Sequence, residues 1–306
     1  AGGLGGAANY RKGGNGGKGS VVTITGGTVT AKSQNGAGIG GGAGANAKES
    51  GTAGITLDSY GGDGGHGDNV TISGGTVAAS SYYAPGIGGG YSGKGYATSS
   101  MKYGAPGRQV GTVKVTGGSV DAKTSTYGTP QIGNSLTRSD YIPTPGAAVH
   151  PKDDNGNTLY LTTVTMTGVG KSAEIKEIDL NPSYTYGCED TKTDKDEKLY
   201  LYLPPDSEVR SITTKNGVRY GGYARTNSSG TAAGVFNSSL IVEDITYIGS
   251  VDTAGERLIL TFNESVDTAS SGSVTIGCDD SAPMTLVSPE WSEADTTLTF
   301  NIDELE

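Results

Sequence analysis

Three stretches with one shared pattern decide the fold of this chain: Val22-Thr-Ile-Thr-Gly-Gly-Thr-Val-Thr-Ala31, Val70-Thr-Ile-Ser-Gly-Gly-Thr-Val-Ala-Ala79 and Val113-Lys-Val-Thr-Gly-Gly-Ser-Val-Asp-Ala122. The second begins 48 residues after the first, and the third begins 43 residues after the second. Within each stretch apolar and polar residues alternate, which is the period of a β-strand with one buried face. The Gly-Gly pair interrupts this alternation and predicts a sharp corner in the backbone.

A second, shorter signature follows each of these stretches. It reads Gly38-Ile-Gly-Gly-Gly42, Gly86-Ile-Gly-Gly-Gly90 and, in degenerate form, Gln131-Ile-Gly-Asn134, and the chain also opens with Gly3-Leu-Gly-Gly6. We interpret each isoleucine as the inward side chain of a third short strand. Three strands per repeat, joined by corners, predict the coils of a parallel β-helix, because a solenoid buries its core by stacking one repeat on the next.

Stacking of the repeats makes a specific prediction about the core. Equivalent residues should lie in register as two internal ladders: Ile24, Ile72 and Val115; Val29, Val77 and Val120. The inward side chains of the third strand are Ile39, Ile87 and Ile132. The 53 glycines in 306 residues disfavour helix, since Gly costs about 1 kcal/mol relative to Ala inside a helix. A flexible linker is the alternative for a glycine-rich chain, but linkers carry no phased Val and Ile. We therefore predict an all-β protein in which residues 1–140 form about three coils.

The composition changes after the third repeat. Residues 1–146 carry a net charge of +5 and residues 147–306 one of −15, which indicates that two different units are joined. Ile142-Pro-Thr-Pro-Gly146 is typical of a linker, which we place at 141–148. Alternating strands and the hairpin signal Asn216-Gly217 then predict a β-sandwich over 149–240. A further short domain occupies 241–306.

These motifs resemble known protein families. The Thr-Ile-Thr/Ser-Gly-Gly-Thr-Val pattern with Gly-Ile-Gly-Gly-Gly is similar to repeats of large surface-anchored proteins of Gram-positive bacteria. Residues 149–240 resemble transthyretin-like or Cna-B-type sandwiches, and 241–306, with Leu260-Thr-Phe-Asn-Glu-Ser-Val266, resemble truncated bacterial Ig-like domains. The resemblance implies an extracellular, adhesin-like protein of the cell surface. Because the sequence begins with Ala1 rather than Met, we expect it to be part of a larger cell-wall-anchored chain.

A catalytic face would need carboxylates and basic groups that converge on one side of the coils. The concentrated cluster of such residues is Asp63, His66 and Asp68. It suggests the acid pair of a glycoside hydrolase or polysaccharide lyase, or a weak match to a calcium-binding nonapeptide. The alternative is a polar glycine-rich loop, since the equivalent stretch 13–19 carries neither acid nor histidine. We favour the loop and assign no catalytic residue, metal ligand or cofactor, with calcium kept as an alternative.

Two classes of partner are disfavoured by the sequence. The acidic charge of the chain argues against nucleic acid, whose phosphates require basic surfaces. No run of apolar residues approaches the 18 or more that predict a membrane-spanning helix, so we expect no membrane insertion by this chain.

The tyrosines of the first half suggest a binding surface. They fall in the insertions of the second and third coils, interleaved with basic residues: Tyr82, Tyr83, Tyr91, Tyr96, Tyr103 and Tyr127, with Lys94, Lys102 and Arg108. Tyrosine offers a rigid apolar face and a hydrogen-bonding hydroxyl, which suits a sugar ring or a protein epitope, although these rings could equally pack over the coils. Two functions stay open: a non-enzymatic surface adhesin or stalk that binds glycans or host surface proteins, and a glycan-active β-helical enzyme.

Overall fold

The computed structural model of the chain describes residues 12–47, 50–52, 55–96, 101–139, 142–227, 232–238, 242–250, 253–262, 274–276, 284–286, 290–291 and 297–301. Within these residues every helix or strand element is a β-strand, so the prediction of an all-β protein is confirmed. The chain divides into two compact units, Ala1–Asn237 and Ser238–Glu306. No helix of the described part is long and apolar enough to cross a membrane.

The first unit begins with the predicted coils of a parallel β-helix. Its main sheet contains β1 (Val22–Ile24) and β2 (Thr28–Ser33) of the first coil, β6 (Val70–Ser81) of the second and β10 (Val113–Thr124) of the third, all paired in parallel. A second parallel sheet contains β3 (Ile39–Gly40), β7 (Ile87–Gly88) and β11 (Ile132–Gly133). Two antiparallel hairpins extend from the coils: β4 (Ser50–Thr52) with β5 (Ile55–Leu57), and β8 (Lys94–Tyr96) with β9 (Met101–Tyr103).

The register of the two sheets confirms the two predicted ladders and shows a third. The paired residues are Ile24, Ile72 and Val115 in one ladder, Val29, Val77 and Val120 in the second, and Ile39, Ile87 and Ile132 in the third. The residues of the second coil in these ladders are almost fully buried, and eight of the nine ladder residues belong to one hydrophobic core, against which Val29 packs. In each Gly-Gly pair the second glycine has a positive φ, for example 88° at Gly75, which is why the corner requires glycine.

The glycine-rich stretches, which the sequence analysis interpreted as loops, form an ordered third layer. We call the stretches 12–19, 41–47, 60–67, 89–93 and 104–109 the glycine layer. Every third backbone N–H of the first stretch donates to the third: Gly13 to Tyr60, Gly16 to Asp63 and Gly19 to His66, with N–O distances of 2.7–2.8 Å. A period of three without hydrogen bonds inside the stretch is that of a polyproline II helix. The stretches 13–19 and 61–69 contain no helix or strand element, as the prediction of polar loops requires, but hydrogen bonds to neighbouring coils order their backbones.

Close approach of backbones explains why the layer is built from glycine. Gly65 donates its N–H to the carbonyl of Gly42, and a Cβ on Gly65 would overlap the carbonyl oxygen of Gly17. Gly62 stands in the same relation to Gly14. With three residues per turn, one position in every three has room for a side chain, which produces the Gly-Gly-x pattern of 61–66.

The segment predicted to be an exit linker instead covers the third coil. Thr144 and Thr137 exchange two backbone hydrogen bonds of 2.9 Å. Asn134 donates to Ala147, and Val149, two residues after Ala147, donates to Ile132. These bonds satisfy backbone groups that the last coil would otherwise leave unpaired, so the prolines begin a cap rather than a spacer.

A six-stranded mixed sheet completes the first unit. Its order is β13 (Ile175–Asn181), β15 (Glu208–Thr214), β16 (Arg219–Arg225), β17 (Ala232–Ser238), β12 (Tyr160–Thr167) and β14 (Lys198–Leu203). β12 and β17 pair in parallel, and β12 pairs with β14 antiparallel. All six strands contribute to one buried cluster. The sequence predicts a sandwich of two facing sheets over 149–240. The described strands of this region instead form one hydrogen-bonded sheet.

The cores of the coils and of this sheet meet along β14. Leu199, Leu201 and Leu203 belong to the core of the sheet, whereas Tyr202 on the opposite face belongs to the core of the coils. The hydroxyl of Tyr186 donates to the carbonyl of Gly118 at 2.7 Å. The alternation of Leu and Tyr in β14 therefore reflects two buried faces. The coils and the sheet form one compact unit where the sequence predicts two domains.

The second unit is also built from antiparallel strands in its described part. β18 (Val242–Ser250), β19 (Thr253–Phe262), β23 (Thr297–Asn301) and β22 (Glu290–Trp291) form one sheet in that order. β20 (Val274–Ile276) pairs with β21 (Met284–Leu286).

Candidate functional site

The acid cluster of the second coil lies in the glycine layer, where its side chains connect neighbouring coils. Asp63 accepts a hydrogen bond of 2.7 Å from the backbone N–H of Ala105 in the third coil. His66 Nδ1 accepts one of 3.0 Å from the N–H of Arg108. The carboxylates also face lysines of the first coil, with Asp63 3.6 Å from Lys12 Nζ and Asp68 3.3 Å from Lys18 Nζ.

These contacts give the side chains of the cluster a structural role, because they join neighbouring coils. The N–H of Asn69, which donates to Asp68, and the ammonium of Lys18 hold the pKa of Asp68 below its ordinary value. A general acid near neutral pH requires the opposite shift. The Cα atoms of Asp63 and His66 are one polyproline II turn apart, about 9 Å, and each side chain bonds a different backbone group. No group of three or more His, Cys, Asp or Glu within the described ranges could hold a metal ion.

A cleft of about 370 Å³ contains two of the predicted tyrosines, Tyr83 and Tyr91. We call this cavity the tyrosine cleft; it is lined by Asn35, Gly44, Ala45, Asn46, Tyr83, Tyr91, Ser92, Lys94 and Arg138. Tyr83 lies in the bend that follows β6, and Tyr91 and Ser92 lie in the glycine layer of the second coil. Arg138 comes from the segment after β11, so the third coil completes the cleft.

The aromatic rings form a row along the cleft. The ring centroids of Tyr82 and Tyr83 are 4.6 Å apart in an edge-to-face arrangement, and those of Tyr83 and Tyr91 are 5.2 Å apart and stacked. The guanidinium carbon of Arg138 lies 5.2 Å from the ring centroid of Tyr91 and 4.8 Å from that of Tyr103. Both distances are those of cation–π contacts. The row thus runs from Tyr82 to Tyr103 with Arg138 between the last two rings.

The tyrosines of the row differ in how much ring surface they present. Tyr91 is only 7% exposed and packs with Ala84 and Leu136, and its burial raises the pKa of its hydroxyl. Tyr82 is 54% exposed, and Tyr83 is half-buried. Tyr91 therefore supports the cleft, and Tyr83 presents part of its ring in the lining. Tyr82 is exposed beside Tyr83, outside the lining.

Of the remaining predicted residues, some lie in or beside the cleft and others lie away from it. Lys94 lines the cleft, with its Nζ 4.9 Å from the ring centroid of Tyr96 and its backbone N–H donated to Asn46 Oδ1. Lys102 lies opposite Gly95 in the β8–β9 hairpin beside the cleft. Outside the lining, Tyr127 is 98% exposed in a turn after β10, and Arg108 is exposed beside His66.

Ser92 is a lining residue that the sequence analysis missed. The side chain is 3% exposed, and its Oγ has no hydrogen-bond partner within the described residues. A buried hydroxyl without a partner is costly, so it marks a place where a ligand oxygen could bind. Asn35, Asn46 and Arg138 were missed as well, because nothing in their local sequence distinguishes them from other polar loop residues.

A second cavity, of about 310 Å³, lies beside β13 and contains Cys188. The thiol is mostly buried, and this burial raises its pKa from an ordinary value of 9.0 to about 11. Only the thiolate reacts with alkylating agents.

Because of this shift, we expect Cys188 to be alkylated slowly in the folded protein. At pH 8 a thiol whose pKa is two units higher carries about one-hundredth of the ordinary thiolate, so iodoacetamide should label it about 100-fold more slowly. Mass spectrometry of the Cys188 peptide over time gives the rate, and the urea-unfolded chain is the control. Equal rates in both states would show that the thiol is not shielded.

Comparison with known proteins bears on the coils alone. The family described as Beta helix repeat matches residues 22–43 and 70–91, which contain the main strands and the Gly-Ile-Gly-Gly-Gly signature of the first two coils. No curated protein and no solved structure matches the chain. The β-helix repeats are therefore supported independently of the structure.

Proposed function

We propose that this β-helical chain is a non-enzymatic extracellular surface protein that binds host or dietary glycans through the tyrosine cleft. The observation that carries the proposal is a lining that combines the accessible Tyr83 ring with the donors of Lys94, Arg138 and Ser92. The exposed ring of Tyr82 packs against Tyr83 and extends this aromatic surface beyond the lining. In this proposal the coils and sheets act as a stalk that presents the cleft.

The shape and chemistry of the cleft suit a sugar. Its volume of about 370 Å³ falls in the range of about 300–1,000 Å³ typical of small-molecule sites. A tyrosine ring packs against the apolar C–H face of a pyranose, while its hydroxyl and the neighbouring amide, ammonium and guanidinium groups bond the sugar oxygens. Asn35 and Asn46 add such amide groups to the lining.

Binding rather than cleavage is favoured by the state of the acid cluster. Asp63 and Asp68 are occupied by backbone N–H groups and by lysines, and neither lines the tyrosine cleft. The resemblance of the repeats to Gram-positive surface proteins supports a position at the cell wall, in a larger anchored chain.

A glycan array tests this function directly. Relative to the parent chain, we expect the double variant Tyr82→Ala/Tyr83→Ala to lose at least about tenfold in affinity, since each ring contributes on the order of 1 kcal/mol. Tyr127→Ala is the matched control, because Tyr127 is exposed outside the cleft, and it should bind as the parent does. Melting temperatures of all three proteins establish that they are folded.

Three outcomes of this experiment would contradict the proposal. The first is retention of no glycan by the parent, and the second is equal retention by the parent and the double variant. The third is the release of new reducing ends from a bound glycan by the parent but not by Asp63→Asn or Asp68→Asn. That result would make the chain a glycan-active enzyme.

A further inference from the structure

We infer that the tyrosine cleft selects sugar units that carry a carboxylate, with Arg138 as the residue that binds it. This inference rests on the proposed glycan binding and adds the chemical class of the ligand. Its basis is a pair of positive charges that the fold brings to the cleft without counter-charges among the described residues.

The charge of the cleft is uncompensated in the described structure. Arg138 and Lys94 both line it, no Asp or Glu does, and no salt bridge within the described ranges involves either residue. Four other lysines of the coils are paired with aspartates: Lys12 with Asp63, Lys18 with Asp68, Lys114 with Asp154 and Lys123 with Asp121. Two unpaired cations in one half-enclosed cavity attract an anion, and the walls of the cavity limit screening by water and salt.

The surroundings of Arg138 hold its guanidinium ready for a planar acceptor. The rings of Tyr91 and Tyr103 lie 5.2 and 4.8 Å from the guanidinium carbon, and Tyr91 is itself fixed by burial. Contacts with rings use the faces of the guanidinium, whereas its N–H donors lie in its plane. Those donors match the two oxygens of a carboxylate in a bidentate pair.

Ser92 and Lys94 supply further donors to the lining of the cleft. The partnerless, buried Oγ of Ser92 can donate to an oxygen of the ligand, which removes the cost of leaving it unsatisfied. Lys94 is held in place by the hydrogen bond from its N–H to Asn46. An acidic sugar uses all of these groups together, with its ring against Tyr83 and its carboxylate at Arg138.

Matched pairs of oligosaccharides separate charge from sugar identity. Oligomers of galacturonan, glucuronan and hyaluronan are each compared with their carboxyl-reduced, neutral forms by titration calorimetry on the full chain. We expect at least one acidic form to bind about tenfold or more tightly than its reduced counterpart. Arg138→Gln should abolish this preference, so that the acidic and the reduced forms bind the variant with equal affinity.

Two further variants test whether the preference for the acidic form depends on the guanidinium of Arg138. Arg138→Lys keeps the charge but lacks the planar fork, so it should recover only part of the preference. Arg108→Gln removes an exposed arginine outside the lining and should leave the preference unchanged. The preference of the parent should also shrink at an ionic strength of about 1 M, where the Debye length is about 3 Å.

The possible failures are distinguishable from those of the proposed function. If neutral and acidic forms bind equally, or if Arg138→Gln keeps the preference, the carboxylate site is refuted while glycan binding stands. If sulfated galactan oligomers bind as tightly as the uronates, the cleft recognises anionic sugars in general and the carboxylate assignment is overturned. If neither acidic nor neutral glycans bind, both the inference and the proposed function fail.

Discussion

Replacing Ile72 with Asp should lower the free energy of unfolding of the first unit by about 5 kcal/mol or more. Ile72 is fully buried in the middle of its ladder, between Ile24 of the first coil and Val115 of the third. The change removes the burial of a large apolar side chain and leaves a carboxylate without a partner in the core. Since whole domains are stable by only about 5–15 kcal/mol, much of the protein should be unfolded at room temperature.

The neighbouring position provides the control for this prediction. Thr71 lies on the outward face of the same strand, opposite Thr23 and Lys114, and is partly exposed. Thr71→Asp should therefore change the stability by no more than about 0.5 kcal/mol. Urea unfolding followed by circular dichroism compares the two variants with the parent. A parent-like transition for Ile72→Asp would mean that the coils are not stacked in this register.

The second large effect is expected in the glycine layer. Gly65→Ala places a methyl group where the carbonyl oxygen of Gly17 lies, and Gly65 also donates its N–H to Gly42. Backbone cannot move aside as a flexible side chain can, so neighbouring stretches must separate and lose hydrogen bonds. We expect a loss of about 3 kcal/mol or more, at the upper end of what overpacking costs.

His66→Ala is the control for the glycine substitution, because it changes the next residue of the same stretch. His66 is exposed, and its removal deletes one hydrogen bond to the N–H of Arg108, worth about 1 kcal/mol. Differential scanning calorimetry of both variants gives the comparison. If Gly65→Ala melts at the same temperature as the parent, the stretches of the layer do not pack as closely as described.

Much of the candidate site depended on tertiary structure. From the sequence, Tyr83, Tyr91 and Lys94 were predicted as binding residues, because tyrosines interleaved with cations are a local feature. Packing between coils determines that Tyr91 is buried and that Tyr127 lies apart from the cleft. Arg138 reaches the cleft only because the third coil stacks on the second, which brings it to residues more than forty positions earlier in the chain.

The sequence by itself determined the coils and their ladders. Alternation within a strand and repetition along the chain are local signals, and stacking identical units in register follows from them without further information. This is why Ile24, Ile72 and Val115 were placed correctly.

Only the tertiary structure decided what the glycines, the prolines and β14 do. Gly-Gly-x stretches have no apolar period, and their hydrogen bonds join segments distant in sequence, so the glycine layer cannot be distinguished locally from loops. The segment after Ile142 caps the third coil because that coil has an open edge to satisfy. The alternation of Leu and Tyr in β14 indicates that the strand has two distinct faces. Both faces are buried because the sheet packs against the coils, which the sequence of β14 does not reveal.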